Sequence, residues 1–244
     1  MNNHDIIKTF SPKQLDIRRL SLLQSALRKS SIIVYGEIHG IKENADIVYN
    51  LVKKLDIQRL AIEASPTVLD FINSVKANSY DFSLVDEDLF DSSILSLEMI
   101  KAIAILLRQN QLKALVFIDT FFDILDEDAI IPPSPQEREE QLAKNILGID
   151  GSLPTLCIMG QWHTQPKVVT DGETRHESAL YRLRKTKPNV PFIHNIYRQG
   201  ELFNDGKIIE LPDNPAVSSC YGIVQKTDID FDLYVPKATK ISLC

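Results

Sequence analysis

The sequence predicts a single α/β domain: a central, largely parallel (mixed) sheet flanked by helices on both faces, with its core over about residues 31–239 of the 244. Three observations carry that prediction. Short β-branched apolar runs alternate with segments of helical periodicity, the pattern of strand–helix–strand units. The early runs are continuously apolar, as strands buried on both faces must be. No linker rich in Gly, Pro or Ser divides residues 1–244 into separate units.

The elements follow in order. Ser11-Pro12-Lys13-Gln14 has the form of a capping box with proline at the first helical position and predicts a helix to about Lys29. Ser31 to Tyr35 is a β-branched run closed by Gly36, the first strand. Ile47, Val48, Leu51, Val52 and Leu55 recur at helical spacing. Arg59 to Glu63 (RLAIE) reads as a second strand, and Pro66 starts another helix. Ile94 to Arg108 predicts a long apolar helix and Ala114 to Asp119 (ALVFID) a third strand. Ser134-Pro135-Gln136-Glu137 is a second capping box, opening a helix that runs towards Gly148. Thr155 to Met159 is a fourth strand, Glu177 to Lys185 a helix, and Val190 to His194 (VPFIH) a fifth strand. Tyr221 to Gln225 and Phe231 to Val235 are late strands. The acidic stretch Asp81 to Asp91 predicts a solvated loop, with a lid as the alternative, and Ile130 to Pro135, with three prolines, an ordered loop.

Composition narrows the function classes. A hydrophobic fraction of 44% suits a packed core, and a net charge of −6 argues against a nucleic-acid groove or a polybasic membrane patch. No apolar run approaches the ~20 residues that span a bilayer. Met1 to Asp5 shows no basic region followed by an apolar one, so no secretory signal is expected. The three cysteines are scattered without CxxC spacing and read as reduced thiols, with Cys157 a core residue. The expectation is a cytoplasmic protein whose partner is a small-molecule or peptide substrate, not nucleic acid or membrane.

Two segments carry the chemistry: Ile33-Val34-Tyr35-Gly36-Glu37-Ile38-His39 and Cys157-Ile158-Met159-Gly160-Gln161-Trp162-His163. Each is an apolar strand, then glycine, then histidine three residues on. Glycine takes φ > 0 without steric cost, so each reads as a sharp turn presenting its histidine at a strand's carboxyl end. Ligands of open parallel sheets bind outside those ends. Glu63, Asp119 and His194 close other strands, so Glu37, His39, Glu63, Asp119 and His163, with His194 beside them, are expected on one rim. A lone strand-end histidine usually only caps or hydrogen-bonds; two of them beside Glu63 point to a site. Asp119 can equally cap a turn, His194 reads as structural, and Arg138, on residues alone, reads as a surface helix charge.

Two routes to hydrolysis fit these residue types. His39, Glu63 and His163 can hold a divalent metal (Mn, Co or Zn) that turns bound water into hydroxide at a pKa of about 7. A metal-free His–Glu pair can instead deprotonate water directly. Neither G-x-S-x-G nor H-E-x-x-H is present.

Gly36-Glu37-Ile38-His39-Gly40, Glu63 after its strand, Arg138 within EREEQLAKNI and Gly160-Gln161-Trp162-His163 together resemble the superfamily of ChaN haem-uptake-like, Tiki, TraB and erythromycin esterase proteins. The resemblance spans about Ser31 to Val235, and Phe231 to Thr239 is similar to the family's terminal strand. It implies an erythromycin-esterase/ChaN-like α/β fold with both Gly-x-x-His turns facing one cleft. It also implies a hydrolase of ester or amide bonds, metal-assisted in the Tiki manner, or a non-catalytic haem or small-ligand binder in the ChaN manner. By it His39 and His163 are the paired histidines, Glu37 and Glu63 the acids, and Arg138 a site residue; in a hydrolase Arg138 would neutralise a developing oxyanion or a substrate carboxylate. One residue between Glu37 and His39 matches the ChaN and Tiki spacing rather than that of the esterases. For haem, Tyr35 and Tyr221 are further iron-ligand types.

Overall fold

The computed structural model describes residues 11–79, 95–120, 134–171, 174–204 and 207–241. The acidic stretch 81–91 and residues 130–133 of the proline-rich loop lie outside the described residues. In chain order the elements are α1 (Ser21–Ser30), β1 (Ile32–Glu37), α2 (Glu43–Leu55), β2 (Arg59–Ile62), α3 (Val68–Lys76), α4 (Leu97–Arg108), β3 (Ala114–Phe117), α5 (Pro135–Leu147) and β4 (Thr155–Gly160). A 3-10 turn (Gln161–Thr164) follows, then β5 (Val169–Asp171), β6 (Thr174–His176), α6 (Ala179–Thr186), β7 (Phe192–Tyr197), β8 (Gly200–Asn204), β9 (Lys207–Leu211), β10 (Gly222–Gln225) and β11 (Asp230–Val235).

Seven strands form one sheet in the order β10-β11-β7-β1-β4-β2-β3. Every neighbouring pair is parallel except β10 with β11. This is the mostly parallel mixed sheet expected. Side chains alternate between its faces, and the core divides accordingly. Ile33, Tyr35, Leu60, Ile62, Leu156 and Ile158 pack with α1 to α4. Ile32, Val34, Ala61, Cys157 and Met159 pack with α5 and α6. The chain moves outward from β1 to β2 and β3 through α2, α3 and α4, then returns to β4 and on to β7 through α5 and α6. Outward and return crossovers on opposite faces are what right-handed connections require. The direction reverses around β1 and β4, so their carboxyl ends flank the crevice where such sheets bind ligands.

The capping box at Ser134 forms as read: the Ser134 hydroxyl accepts from the Glu137 amide, and the Glu137 carboxylate accepts from the Ser134 amide. The one at Ser11 does not, and the first described helix begins at Ser21. Its backbone finds other partners: Asp46 accepts from the Lys13 amide, and Asn50 accepts from the Leu15 amide while donating to the Lys13 carbonyl. With those groups satisfied by α2, residues 11–17 run along it without forming a helix and bury Leu15 and Ile17. The hairpins β5–β6 and β8–β9 do not stand out in the sequence pattern. β7 also corrects the reading of VPFIH. It runs three residues beyond His194, whose register partners are Gly36 and Asp232, so His194 lies within the strand and not on the rim.

Candidate active site

The two motifs interlock. β1 and β4 are adjacent, and Glu37 is the register partner of Gly160. Neither motif glycine serves as a positive-φ hinge, which corrects the sequence reading: among the described glycines only Gly40 and Gly200 have that conformation. Gly160 is needed because it has no side chain. A Cβ there would come within 2.6 Å of His39 Nε2, so the imidazole of the first motif rests on the glycine of the second. Conversely, a Cβ on Gly36 would collide with the Thr164 hydroxyl at the end of the second motif's turn and with the Phe192 ring. Each glycine clears room for the other segment.

Glu37 is buried, and its Oε1 lies 3.1 Å from Nδ1 of His39. The other ring nitrogen, Nε2, makes no hydrogen bond among the described residues, and the ring keeps 19% of its surface exposed. Burial raises the Glu37 pKa, with the His39 hydrogen bond opposing. For His39, burial works downward but the Glu37 hydrogen bond and the Glu63 charge outweigh it, so the imidazole is raised. Beneath this pair, Asn44 donates to the Ile38 carbonyl at 2.8 Å and accepts from the Tyr197 hydroxyl at 2.8 Å, pinning the first motif from below. Tyr35 belongs to the same buried cluster and accepts from Asn195, so it is no open iron ligand.

Glu63 ties the second motif to β2. Its Oε2 accepts from the Gly160 amide at 2.6 Å, and its Oε1 meets Arg138 Nη2 at 2.9 Å and His163 Nε2 at 3.1 Å. His163 is held on its other side by Glu139, 2.7 Å from Nδ1, and Glu139 in turn accepts from the Ala179 amide at the start of α6. With a carboxylate at each nitrogen, His163 is an imidazolium. Burial opposes that charge, but the Glu63 charge and the Glu139 hydrogen bond outweigh it and lift the ring to about 9. Burial likewise works to raise Glu63, and the His163 charge and hydrogen bond override it, holding the carboxyl well below its ordinary value. Arg138 Nη2 also donates to Asp119 at 2.6 Å, so the guanidinium joins the ends of β2 and β3. It is no free surface charge.

Across the sheet, the rim therefore runs Glu37–His39, His163, Glu63 and Asp119, closed by Arg138 and Glu139 from α5. His194 stands apart, 3.9 Å from Asp232 beside a cavity of about 220 Å³ near Gln161 and Gln165. Glu139 was the omission of the sequence reading. A signal existed: it shares the inward stripe of α5 with Leu142, Ala143 and Ile146, an acid at helical spacing among apolar residues. Cys157 is buried in β4, and burial raises its thiol, as suits a core residue.

His39, Glu63 and His163 do not fit a shared metal as arranged. Both nitrogens of His163 and both oxygens of Glu63 are engaged by one another, by Arg138, by Glu139 and by a backbone amide. The Arg138 guanidinium already supplies positive charge to Glu63 and Asp119. Among the described residues, no three His, Cys, Asp or Glu side chains converge as a metal-holding group.

No known protein family's profile matches the chain, and no curated protein does. A crystal structure of a succinoglycan biosynthesis protein superposes on it with a TM-score of 0.63, at 11% identity, over 97% of this chain and 96% of that one. At that identity the likeness shows the fold. Among the described residues no helix is long and apolar enough to cross a membrane.

Proposed function

We propose that this chain is a hydrolase of ester or amide bonds in which His39 is the general base. One observation carries the reading: His39 is gripped at Nδ1 by Glu37 and keeps Nε2 uncommitted on a partly exposed ring. An Nδ1–H that donates to Glu37 leaves the lone pair on Nε2. A water at that nitrogen gives up a proton as its oxygen attacks the substrate carbonyl, and the imidazolium so formed is stabilised by Glu37 and Glu63. Arg138, about one-fifth exposed, supplies positive charge for the developing oxyanion. His39 then returns the proton to the leaving alcohol or amine. Glu63, His163, Glu139 and Asp119 are positioning residues: they hold the Gly160 backbone and Arg138 in place.

No step runs through a metal, so chelation is expected to leave turnover intact. Cys157 and Cys220 are unbridged, which supports a reducing compartment such as the cytoplasm. The test is a screen of acetate esters and anilides, followed by His39→Gln on any substrate found. The expected result is a loss of kcat of roughly 10²- to 10⁴-fold with the melting temperature little changed. A folded variant that turns over at the wild-type rate would end the proposal.

A further inference from the structure

Trp162 is the chain's single tryptophan, one residue before His163 and two after the glycine on which His39 rests, and it is 53% exposed. It is not loosely placed. The indole stacks on His176 of β6, with ring centroids 4.6 Å apart and planes 29° apart. His176 is itself buried, and its Nδ1 accepts from the Gln136 amide of α5 at 3.2 Å. Gln136 is fixed in turn, its carbonyl oxygen accepting from Arg182 and from the Glu177 amide. Nε2 of His176 has no hydrogen bond: it is buried, and Glu139 Oε1 lies 3.6 Å away. His176 is thus held between Gln136 and the Glu139 carboxylate, and its ring face backs one face of an indole at the surface. The stack covers one apolar face of the indole with a fixed ring and leaves the remainder, about half of the residue's surface, open to solvent.

We infer that Trp162 is a ring-binding platform for the substrate, so that the bond cleaved belongs to an ester or amide carrying a flat-faced ring, aromatic or pyranose. The inference rests on the hydrolase reading for the words ester and amide, and on the Trp162–His176 stack for the ring. An indole with one face already backed offers the other as a fixed plane, so a ring landing on it gives up freedom for one partner only. Aromatic rings and the C–H faces of sugars share this chemistry.

Two measurements test it. Because the protein has one tryptophan, its emission reads this position alone. Titration with benzyl alcohol and with methyl glucopyranoside is expected to give a saturable change with one of them, whereas 1-butanol gives none. Kinetics on phenyl acetate, methyl 6-O-acetylglucopyranoside and ethyl acetate are then compared. Wild type should favour one ring ester over ethyl acetate, and Trp162→Ala should shrink that preference roughly tenfold through KM, with Trp162→Phe restoring most of it. Saturable emission without turnover of any ester keeps the platform and removes the hydrolase. Turnover without ring preference, together with emission that responds equally to all three alcohols, keeps the hydrolase and overturns the platform.

Discussion

Gly160 and Gly40 lie at opposite ends of what a glycine can do here. A methyl group on Gly160 meets only the far tip of the His39 ring, which can swing aside. On Gly40, at φ +74°, it would strike the Phe203 backbone, which cannot. Gly160→Ala is thus expected to keep its melting temperature within a few degrees while losing activity to the extent of His39→Gln. Gly40→Ala should unfold well below wild type. A thermal melt beside a turnover assay separates the two, and retained activity in Gly160→Ala would show that the seat under His39 is immaterial. The two histidines should part company in the same way. His39 is partly exposed with one carboxylate partner, whereas His163 is buried between two. Removing His163 takes the cation from between two buried carboxylates, leaving Glu63 to Arg138 and the Gly160 amide and Glu139 to the Ala179 amide alone, a loss of roughly 3 kcal/mol. Removing His39 leaves buried Glu37 without its hydrogen-bond partner, but burial already raises that carboxyl and favours its neutral form, so His39→Ala should cost less stability than His163→Ala and most of the activity. Equal urea midpoints for His39→Ala and His163→Ala would contradict this assignment.

Helix α5 carries most of what the sequence did and did not disclose. Its start was legible because Ser134, Pro135 and Glu137 are local signals, satisfied within three residues. The same signal at Ser11 misled, because the competing partners, Asp46 and Asn50, lie more than thirty residues away. Strand identity was legible from continuous apolar runs; the end of β7 was not, since polar His194 and Asn195 continue the strand through pairing with β11. The glycine–histidine pairs were visible as a pattern, but their mutual clearance exists only once β1 and β4 are neighbours. Arg138 read as a surface charge for the same reason: Glu63 and Asp119 reach it only through the fold. Because α5 delivers Gln136, Arg138 and Glu139 together, its cap is coupled to the site. Ser134→Ala should lower stability by about 1 kcal/mol and, by fraying the first turn that leads into Arg138, lower kcat as well. Unchanged kcat alongside that stability loss would show that the first turn is a structural element only.

Taken together, the buried ionisable groups give the protein a dependence on pH whose sign can be worked out. His163 is raised from its ordinary value near 6.5 to about 9 in the folded state, so its contribution is full below about 6.5 and is lost as pH climbs through 9. His39 is also raised and adds to the same decline. Glu37, raised by burial, acts in the same sense, because folding disfavours its charged form. Glu63 is the counterweight. Its folded pKa is depressed, so its contribution is present above the ordinary carboxyl range and fades only as pH falls below it. Stability should therefore peak in mildly acidic solution and slope downward from about pH 6.5 towards 9. That slope falls below the range where Tyr221, pushed up to about 12 by burial, would contribute. Glu139→Gln removes one of the two carboxylates that lift His163, so in that variant the alkaline slope should still begin near pH 6.5 but end at lower pH, with a smaller total loss. Urea midpoints measured between pH 5 and 9.5 for both proteins decide the matter. A wild-type profile that is flat across that range, or a variant profile superimposable on it, would mean that His163 is not held charged between Glu63 and Glu139.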